Sequence, residues 1–236
     1  MLQLRQSDMR NRLLSALAPA DFDRLAPALE RLPLHLHDTL IAVDQPITHA
    51  YFIETGVISV VAATDGGRIE IGLIGCEGLA GVPLVLGTDR GPFLGVVQGG
   101  GEALRISAGA LGAALGASPG LRGVLGRYVL SLMIQTGYTV YASATLNVEA
   151  RLARWILMTH DRLNAEAMPL TQEFMAMMLG VRRTGATAAL YVLTGAGMVR
   201  ASEGRITVLD RDRLRELAGD TYGPAEAQYE RLLAEG

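Results

Sequence analysis

The sequence contains no lysine, a single cysteine and no excess of positive charge. All 21 basic residues are arginine, a bias typical of genome composition rather than of mechanism. Because Cys76 is the only thiol, a disulfide framework or a multi-cysteine metal cluster within one chain is excluded, and a reducing, cytoplasmic setting is expected. The formal net charge of −3 excludes a chain that is basic throughout.

Features that mark other classes of protein are also missing. There is no phosphate-binding glycine loop, nucleophile elbow or pair of catalytic carboxylates, so no enzyme is predicted. The first 17 residues lack a continuous apolar run and a cleavage site, so no signal peptide is expected. Residues 128–148 are uncharged, but their repeated Thr, Ser, Gln and Asn make a membrane span a poor prediction, and a buried helix is expected instead.

The N-terminal part of the chain changes from helical to β-prone patterns. Residues 8–31 predict two short helices with a break at Pro19 and an N-cap at Asp21. From 33 to about 107, short β-prone runs alternate with Gly, Asp and Pro, and the TDGG turn at 64–67 is a strong hairpin signal. With no long helices between the strands, this texture predicts an antiparallel sandwich or roll.

The HLH triplet at 35–37 predicts two imidazoles on one face of a strand. Metal-binding cupin barrels need a glutamate a few residues further on, and here the chain continues with Asp38, Thr39 and Leu40. We therefore predict solvated histidines, with no metal and no cofactor.

A long apolar helix is predicted after Pro119. Its apolar residues recur at helical spacing from Leu121 to Val140, over more than one stripe of the surface. Such a helix must be covered on more than one side, and a second copy of the same helix is the simplest cover beyond its own domain. The predicted homodimer interface contains Leu125, Tyr128, Leu132 and Met133.

The remaining sequence predicts a winged helix-turn-helix. Thr171 is a good N-cap for QEFMAMML, Gly180 ends that helix, and a second helix runs from Arg182 to about Thr194. A hairpin with its turn near SEG and a short helix after Asp210 complete the pattern.

Two adjacent arginines, Arg182 and Arg183, stand at the start of this second helix, where the helix dipole disfavours cations. In helix-turn-helix proteins the corresponding helix enters the major groove, where arginine binds guanine or phosphate. Residues 171–213 hold six arginines and four acids, which favours nucleic acid in an otherwise acidic chain. A surface helix with two solvated arginines is the simpler alternative.

The segment LTQEFMAMMLGVRRTGATAALYVLTGAGMVRASEGRITVLDRDRLREL resembles the DNA-binding domain of the Crp/Fnr family of bacterial transcription regulators. The stretch YFIETGVISVVAATDGGRIEIGLIGCEGLAGVPLVLGTDR is similar to that family's cyclic-nucleotide-binding-type β-roll. The resemblance implies an α+β chain in three parts: N-terminal helices and a jelly-roll-like antiparallel β-roll (1–118), a dimerisation helix (119–146) and a winged helix-turn-helix (147–236). It also implies a homodimer on an inverted-repeat operator in double-stranded DNA, an effector in the β-roll, and RNA polymerase as a further candidate partner.

By position, the resemblance assigns Arg183 to base contacts and Arg182 to the DNA backbone. The predicted DNA-binding set is Thr171, Arg182, Arg183, Thr184, Thr187 and Arg205.

This sequence departs from the family's cyclic-nucleotide cassette at the candidate effector pocket, which contains Gly81, Val82 and Arg90. In the family a glutamate follows the glycine and holds the ribose hydroxyl, and Ser and Ala follow the arginine that holds the phosphate. Here Val82 follows Gly81, and Gly91 and Pro92 follow Arg90. Control by cyclic AMP is therefore not expected; another ligand in this pocket, or none, stays open.

The sequence thus predicts a homodimeric, sequence-specific DNA-binding transcription regulator. The alternative is a ligand-sensing or interaction module whose winged helix contacts protein and not DNA.

Overall fold

The computed structural model describes residues 4–65, 67–163 and 167–234 of the chain. The predicted α+β class is confirmed. The α-helices are α1 (Arg12–Ala16), α2 (Pro19–Leu25), α3 (Val82–Val85), α4 (Ala108–Ala117), α5 (Pro119–Thr145), α6 (Val148–Leu163), α7 (Gln172–Leu179), α8 (Arg183–Gly195), α9 (Arg211–Ala218) and α10 (Pro224–Ala234). The strands are β1 (Glu30–Leu34), β2 (Thr39–Ile41), β3 (His49–Thr64), β4 (Gly67–Ile74), β5 (Leu79–Ala80), β6 (Phe93–Ser107), β7 (Ala167–Pro169), β8 (Val199–Ser202) and β9 (Arg205–Val208).

The N-terminal sheet is antiparallel in every pairing between its described strands, as the sequence predicts. Its order is β1-β6-β3-β4, with β2 paired to β6 and β5 to β3. The predicted turn at 64–67 includes Gly66, which lies outside the described residues, but the flanking Thr64 and Gly67 pair across β3 and β4. These strands form the β-roll, which α4, α5, α6 and α7 contact.

Strand β6 continues through a glycine run that the sequence patterns treat as a break between two strands. Its pairing with β3 shifts register opposite Thr55, next to Gly99–Gly101. A Cβ atom on Gly101 would overlap the carbonyl group of Thr55. Glycine therefore keeps the two strands paired where a side chain would force them apart.

The N-terminal helices differ from their prediction. The two predicted helices are present and separate just before Pro19, which starts α2 because proline fits the first helical position, where its missing N–H has no partner to lose. Asp21 consequently lies in the first turn, and the N-cap is Ala18. The helix ends at Leu25 and β1 begins at Glu30, so residues 30–31 are strand and not helix.

The two histidines of the HLH triplet do not share a strand face, so that prediction is wrong. Strand β1 ends at Leu34, before the triplet. His37 has a positive φ of 73°, and the Asp38 N–H donates to the His35 carbonyl oxygen at 3.1 Å. The chain therefore turns within the triplet.

Helix α5 is 27 residues long and begins with Ser118 as its N-cap, whose side chain accepts from the Leu121 N–H. The side chain of Gln135 hydrogen-bonds this helix to the edge strand β4. The Leu73 N–H donates to Oε1 of Gln135 at 2.7 Å, and Nε2 of Gln135 donates back to the Leu73 carbonyl at 3.1 Å. In the described part of the chain, no helix has both the length and the apolar character needed to cross a membrane.

The C-terminal elements follow the predicted local signals. The Thr171 hydroxyl accepts from the Phe174 N–H at 3.2 Å, and Gly180 ends α7 in the left-handed conformation. Strands β8 and β9 turn at Glu203 and Gly204, both at positive φ, and Asp210 caps α9. Helix α10, which the sequence patterns did not indicate, returns to pack on α5.

Candidate DNA interface and effector cavity

Helix α8 presents two different faces. Ala186, Ala189 and Leu193 are buried and attach the helix to its own domain. Arg182 is the N-cap residue and Arg183 the first helical residue, and both are exposed together with Thr184. The start of α8 therefore carries its charges on the side that faces solvent.

Neither arginine has a carboxylate partner among the described residues. The ion pairs of this part of the chain involve other arginines. The guanidinium of Arg183 donates from Nε to Oε1 of Gln172, on α7, at 3.3 Å. Two cations stand at a helix end that attracts anions, and no described side chain supplies the anion, so an external anion such as a nucleic acid fits this end.

The other predicted DNA-binding residues lie further along α8 or at the start of α7 and β9. Thr187 lies one turn further along, and its hydroxyl donates to the Arg183 carbonyl oxygen at 2.9 Å. Thr171 is exposed at the start of α7, and Arg205 is exposed at the start of β9, in the hairpin that forms the wing.

The predicted dimer interface needs correction at two residues. Leu125 and Tyr128 are buried in the protomer's own core, and the Tyr128 hydroxyl donates to the Leu79 carbonyl oxygen at 3.1 Å. They face the β-roll and the N-terminal helices and are closed to a partner. Leu132 is half-buried, whereas Met133 is 66% exposed.

A different set of α5 residues is exposed at alternating steps of four and three. We call these residues the dimer seam, after the dimer that is proposed below: Gly126, Leu130, Met133, Gly137, Val140 and Ala144. This spacing keeps residues on one side of a helix that packs along a second helix. The spacing of these residues can be read from the sequence. The sequence does not indicate which stripe faces outward, because apolar residues occur on most sides of this helix.

The three candidate effector residues, Gly81, Val82 and Arg90, line one cavity of about 670 Å³. The cavity lies between the β-roll, α3 and α5, with Ile58 and Val60 of β3 among its walls. Gly81 adopts a positive φ of 105° just before α3. The structure therefore brings these three residues together around one cavity.

The opposite face of the same strands joins the β-roll to the helix-turn-helix. Nε1 of Trp155, on α6, donates to Oε1 of the buried Glu70 at 2.9 Å. Nε of Arg162, also on α6, donates to Oε1 of Glu77 at 2.7 Å, and both side chains of this ion pair are largely buried. Sequence patterns did not indicate this junction, because its partners lie 85 residues apart.

Comparisons with known proteins agree with this geometry. Residues 150–217 match the family model of the Crp-like helix-turn-helix domain. FixK2 of Bradyrhizobium japonicum is 17% identical, with a TM-score of 0.67 over 81% of this chain and 98% of that chain. The c-di-GMP-responsive regulator CLP of Xanthomonas campestris is 17% identical, with a TM-score of 0.66 over 81% of this chain and 99% of that chain.

A CRP/FNR-family regulator of Thermus thermophilus is 19% identical, with a TM-score of 0.66 over 80% of this chain and 98% of that chain. A search of the curated proteins finds no match. The chain therefore carries a Crp-like helix-turn-helix domain, and its overall fold is similar to that of solved Crp/Fnr-family structures. The predicted resemblance to this family is confirmed.

Proposed function

We propose that the protein is a homodimeric, sequence-specific DNA-binding transcription regulator that acts in the cytoplasm and does not respond to cyclic AMP. The observation that carries the proposal is the solvent-facing start of α8, where Arg182 and Arg183 have no carboxylate partner among the described residues. In this arrangement α8 enters the major groove, with Thr184 and Thr187 beside the arginines and Thr171 and Arg205 near the DNA backbone.

The experiment is selection of binding sites from random duplex DNA by the full-length protein, followed by sequencing. We expect an enriched inverted repeat with half-sites about 10–10.5 bp apart, because a two-fold dimer places its two helices in successive major grooves. Replacing both Arg182 and Arg183 by Ala should abolish enrichment, while Arg24→Ala, an exposed arginine on α2, should leave it unchanged. A protein that enriches no sequence would favour the alternative, a winged helix that contacts protein.

The proposed dimer forms along the seam of α5. Met133→Glu would place a charge in the apolar interface and should shift the protein to monomer in analytical ultracentrifugation at low micromolar concentration. Ser143→Glu, exposed on the same helix but turned away from the seam, serves as the matched control. A Met133→Glu protein that remains fully dimeric would place the interface elsewhere.

The expected insensitivity to cyclic AMP rests on the cavity's own residues. Val82 cannot accept a hydrogen bond from a ribose hydroxyl, and a buried hydroxyl left without a partner costs about 1–3 kcal/mol. Saturable micromolar binding of cyclic AMP in titration calorimetry, lost in Arg90→Ala, would contradict this part of the proposal.

A further inference from the structure

The cavity between the β-roll and α5 is walled almost entirely by apolar side chains. Among its described lining residues, only Thr88, Arg90 and Thr136 have polar side chains. Its floor includes Ile58 and Ile74, which are almost completely buried. A volume of about 670 Å³ lies within the range of pockets that bind small organic molecules. The ligand that fits such a lining is mostly apolar, since polar groups buried here would lose their hydrogen bonds.

One charge interrupts this lining. Arg90 has a side chain that is 58% exposed, and its Nη1 donates to the Asp44 carbonyl oxygen at 2.8 Å. The Asp89 carboxylate is 4.0 Å from Nε, the limit of an ion pair, so most of the guanidinium's donors are still available. Arg90 is thus held at the solvent edge of an apolar cavity, where it can pair with one anionic group.

We propose that this cavity binds an organic monoanion with a large apolar body, such as a medium-chain fatty acid or an aromatic carboxylic acid. The anionic group pairs with Arg90, and the apolar body lies against Ile58, Val60 and α5. The two example acids share this chemistry and differ in the shape of the apolar part. This inference rests on the proposed function in one respect, because it makes the ligand the effector of a DNA-binding regulator.

The cavity adjoins the dimer seam. Met133, Gly137 and Val140 belong to the seam and also line the cavity. A ligand that packs against this side of α5 therefore contacts residues that the partner subunit covers in the proposed dimer. Occupancy of the cavity and the packing of the two α5 helices are coupled through these shared side chains.

The test is titration calorimetry of the full-length protein, without DNA, with decanoate and with 2-naphthoate. We expect saturable binding of at least one acid, with one molecule per chain, and binding of the matching neutral amide that is about tenfold weaker. Binding of decanoate alone would identify a chain-shaped ligand, and binding of 2-naphthoate alone a ring-shaped one. Failure of both acids to bind, or amides that bind as well as the acids, would overturn the proposal.

Two variants localise the binding. Val60→Phe fills the cavity and should weaken binding of the acid at least about tenfold, while Leu36→Phe, exposed in the same domain and outside the cavity, should not. Arg90→Met should remove the preference for acid over amide while the apolar body still binds. This second variant tests the site even if Val60→Phe does not fold. Unchanged binding in folded Val60→Phe, or an unchanged preference in Arg90→Met, would overturn the proposal.

The proposed function and this inference fail separately. A protein that selects an inverted repeat but binds neither acid keeps its proposed function and loses this ligand. A protein that binds an acid in the cavity but selects no DNA keeps the ligand site and loses the proposed function.

Discussion

The two faces of the β3–β4 strand pair differ in almost every physical property. Because side chains alternate along a strand, Ile58 and Val60 point to the cavity, whereas Val57 and Ser59 point to α6. The cavity face leaves about 670 Å³ unfilled behind apolar walls. The junction face packs Val57 and Leu73 against α6 and also carries the buried polar side chains of Ser59 and Glu70. One strand pair thus borders an unfilled apolar cavity on one side and contacts α6 on the other.

The junction face contains a buried carboxyl group whose surroundings favour its neutral form. Ser59 lies within hydrogen-bond distance of both Oε2 of Glu70 and Oε1 of Gln98. A hydroxyl has only one proton, so a neutral Glu70 that donates to Ser59 lets Ser59 donate to Gln98. Burial raises the pKa of Glu70 to about 8, against the lowering effect of its hydrogen bonds with Ser59 and Trp155.

The largest effect is expected where the junction holds a buried ion pair. Arg162→Leu leaves the carboxylate of Glu77 with little access to water and no cation, which should lower the free energy of unfolding by about 3–5 kcal/mol. Urea denaturation at fixed protein concentration measures the loss. Replacing both residues by Met should recover much of it, because the unpaired charge is then gone. A loss no larger than that of Arg24→Ala would show that the pair does not fix the junction.

A smaller difference is expected between two neighbouring residues of α5. Gln135→Leu leaves the buried N–H and carbonyl of Leu73 unpaired, and should cost about 1–3 kcal/mol in the free energy of unfolding. Thr136→Val, on the cavity side, should change it by less than about 0.5 kcal/mol, because the structure gives its hydroxyl no hydrogen bond within the described residues. Equal losses in the two variants would show that the hydrogen bonds of Gln135 to β4 add no stability.

Glu70 makes the stability of the junction depend on pH. Its pKa in the folded protein is about 8, above the ordinary 4.5, so the folded state holds a proton that the unfolded state has lost between these values. The contribution of Glu70 to stability should therefore be most favourable below pH 4.5 and should fall as pH rises towards 8, by at most about 1.4 kcal/mol per pH unit. Glu70→Gln, which cannot ionise, should lack this component when unfolding is measured across the series. A wild-type curve parallel to that of Glu70→Gln would mean that Glu70 is charged in the fold.

Local signals in the sequence predicted much of the helix-turn-helix. The N-cap at Thr171, the end of α7 at Gly180 and the cap at Asp210 each depend on residues within a few positions, so the chemistry is visible in a short window. The antiparallel strands of the roll were predicted for the same reason. Helix α4, rich in glycine and alanine, carries no clear periodic signal and was missed.

Contacts between distant segments were not predictable. The pairing of Glu70 with Trp155 depends on how the domains dock, and no local pattern records it. The inward direction of Leu125 and Tyr128 likewise depends on the rotation of α5 against the β-roll. The candidate residues Gly81, Val82 and Arg90 were predicted only through the resemblance to the family. The apolar lining of their cavity is evident only in the structure.

The most direct measurement of the central claim is the binding of wild type, Arg182→Ala and Arg183→Ala to a selected operator and to scrambled DNA across a salt series. If Arg183 contacts a base, Arg183→Ala should cost about 1–3 kcal/mol of binding free energy per half-site. It should also reduce the ratio of the affinity for the operator to the affinity for scrambled DNA. If Arg182 contacts phosphate, Arg182→Ala should weaken binding to both DNAs by the same factor and make the affinity depend less on salt concentration. An unchanged ratio in Arg183→Ala would contradict the assigned roles, and unchanged binding in both variants would contradict the claim that α8 recognises DNA.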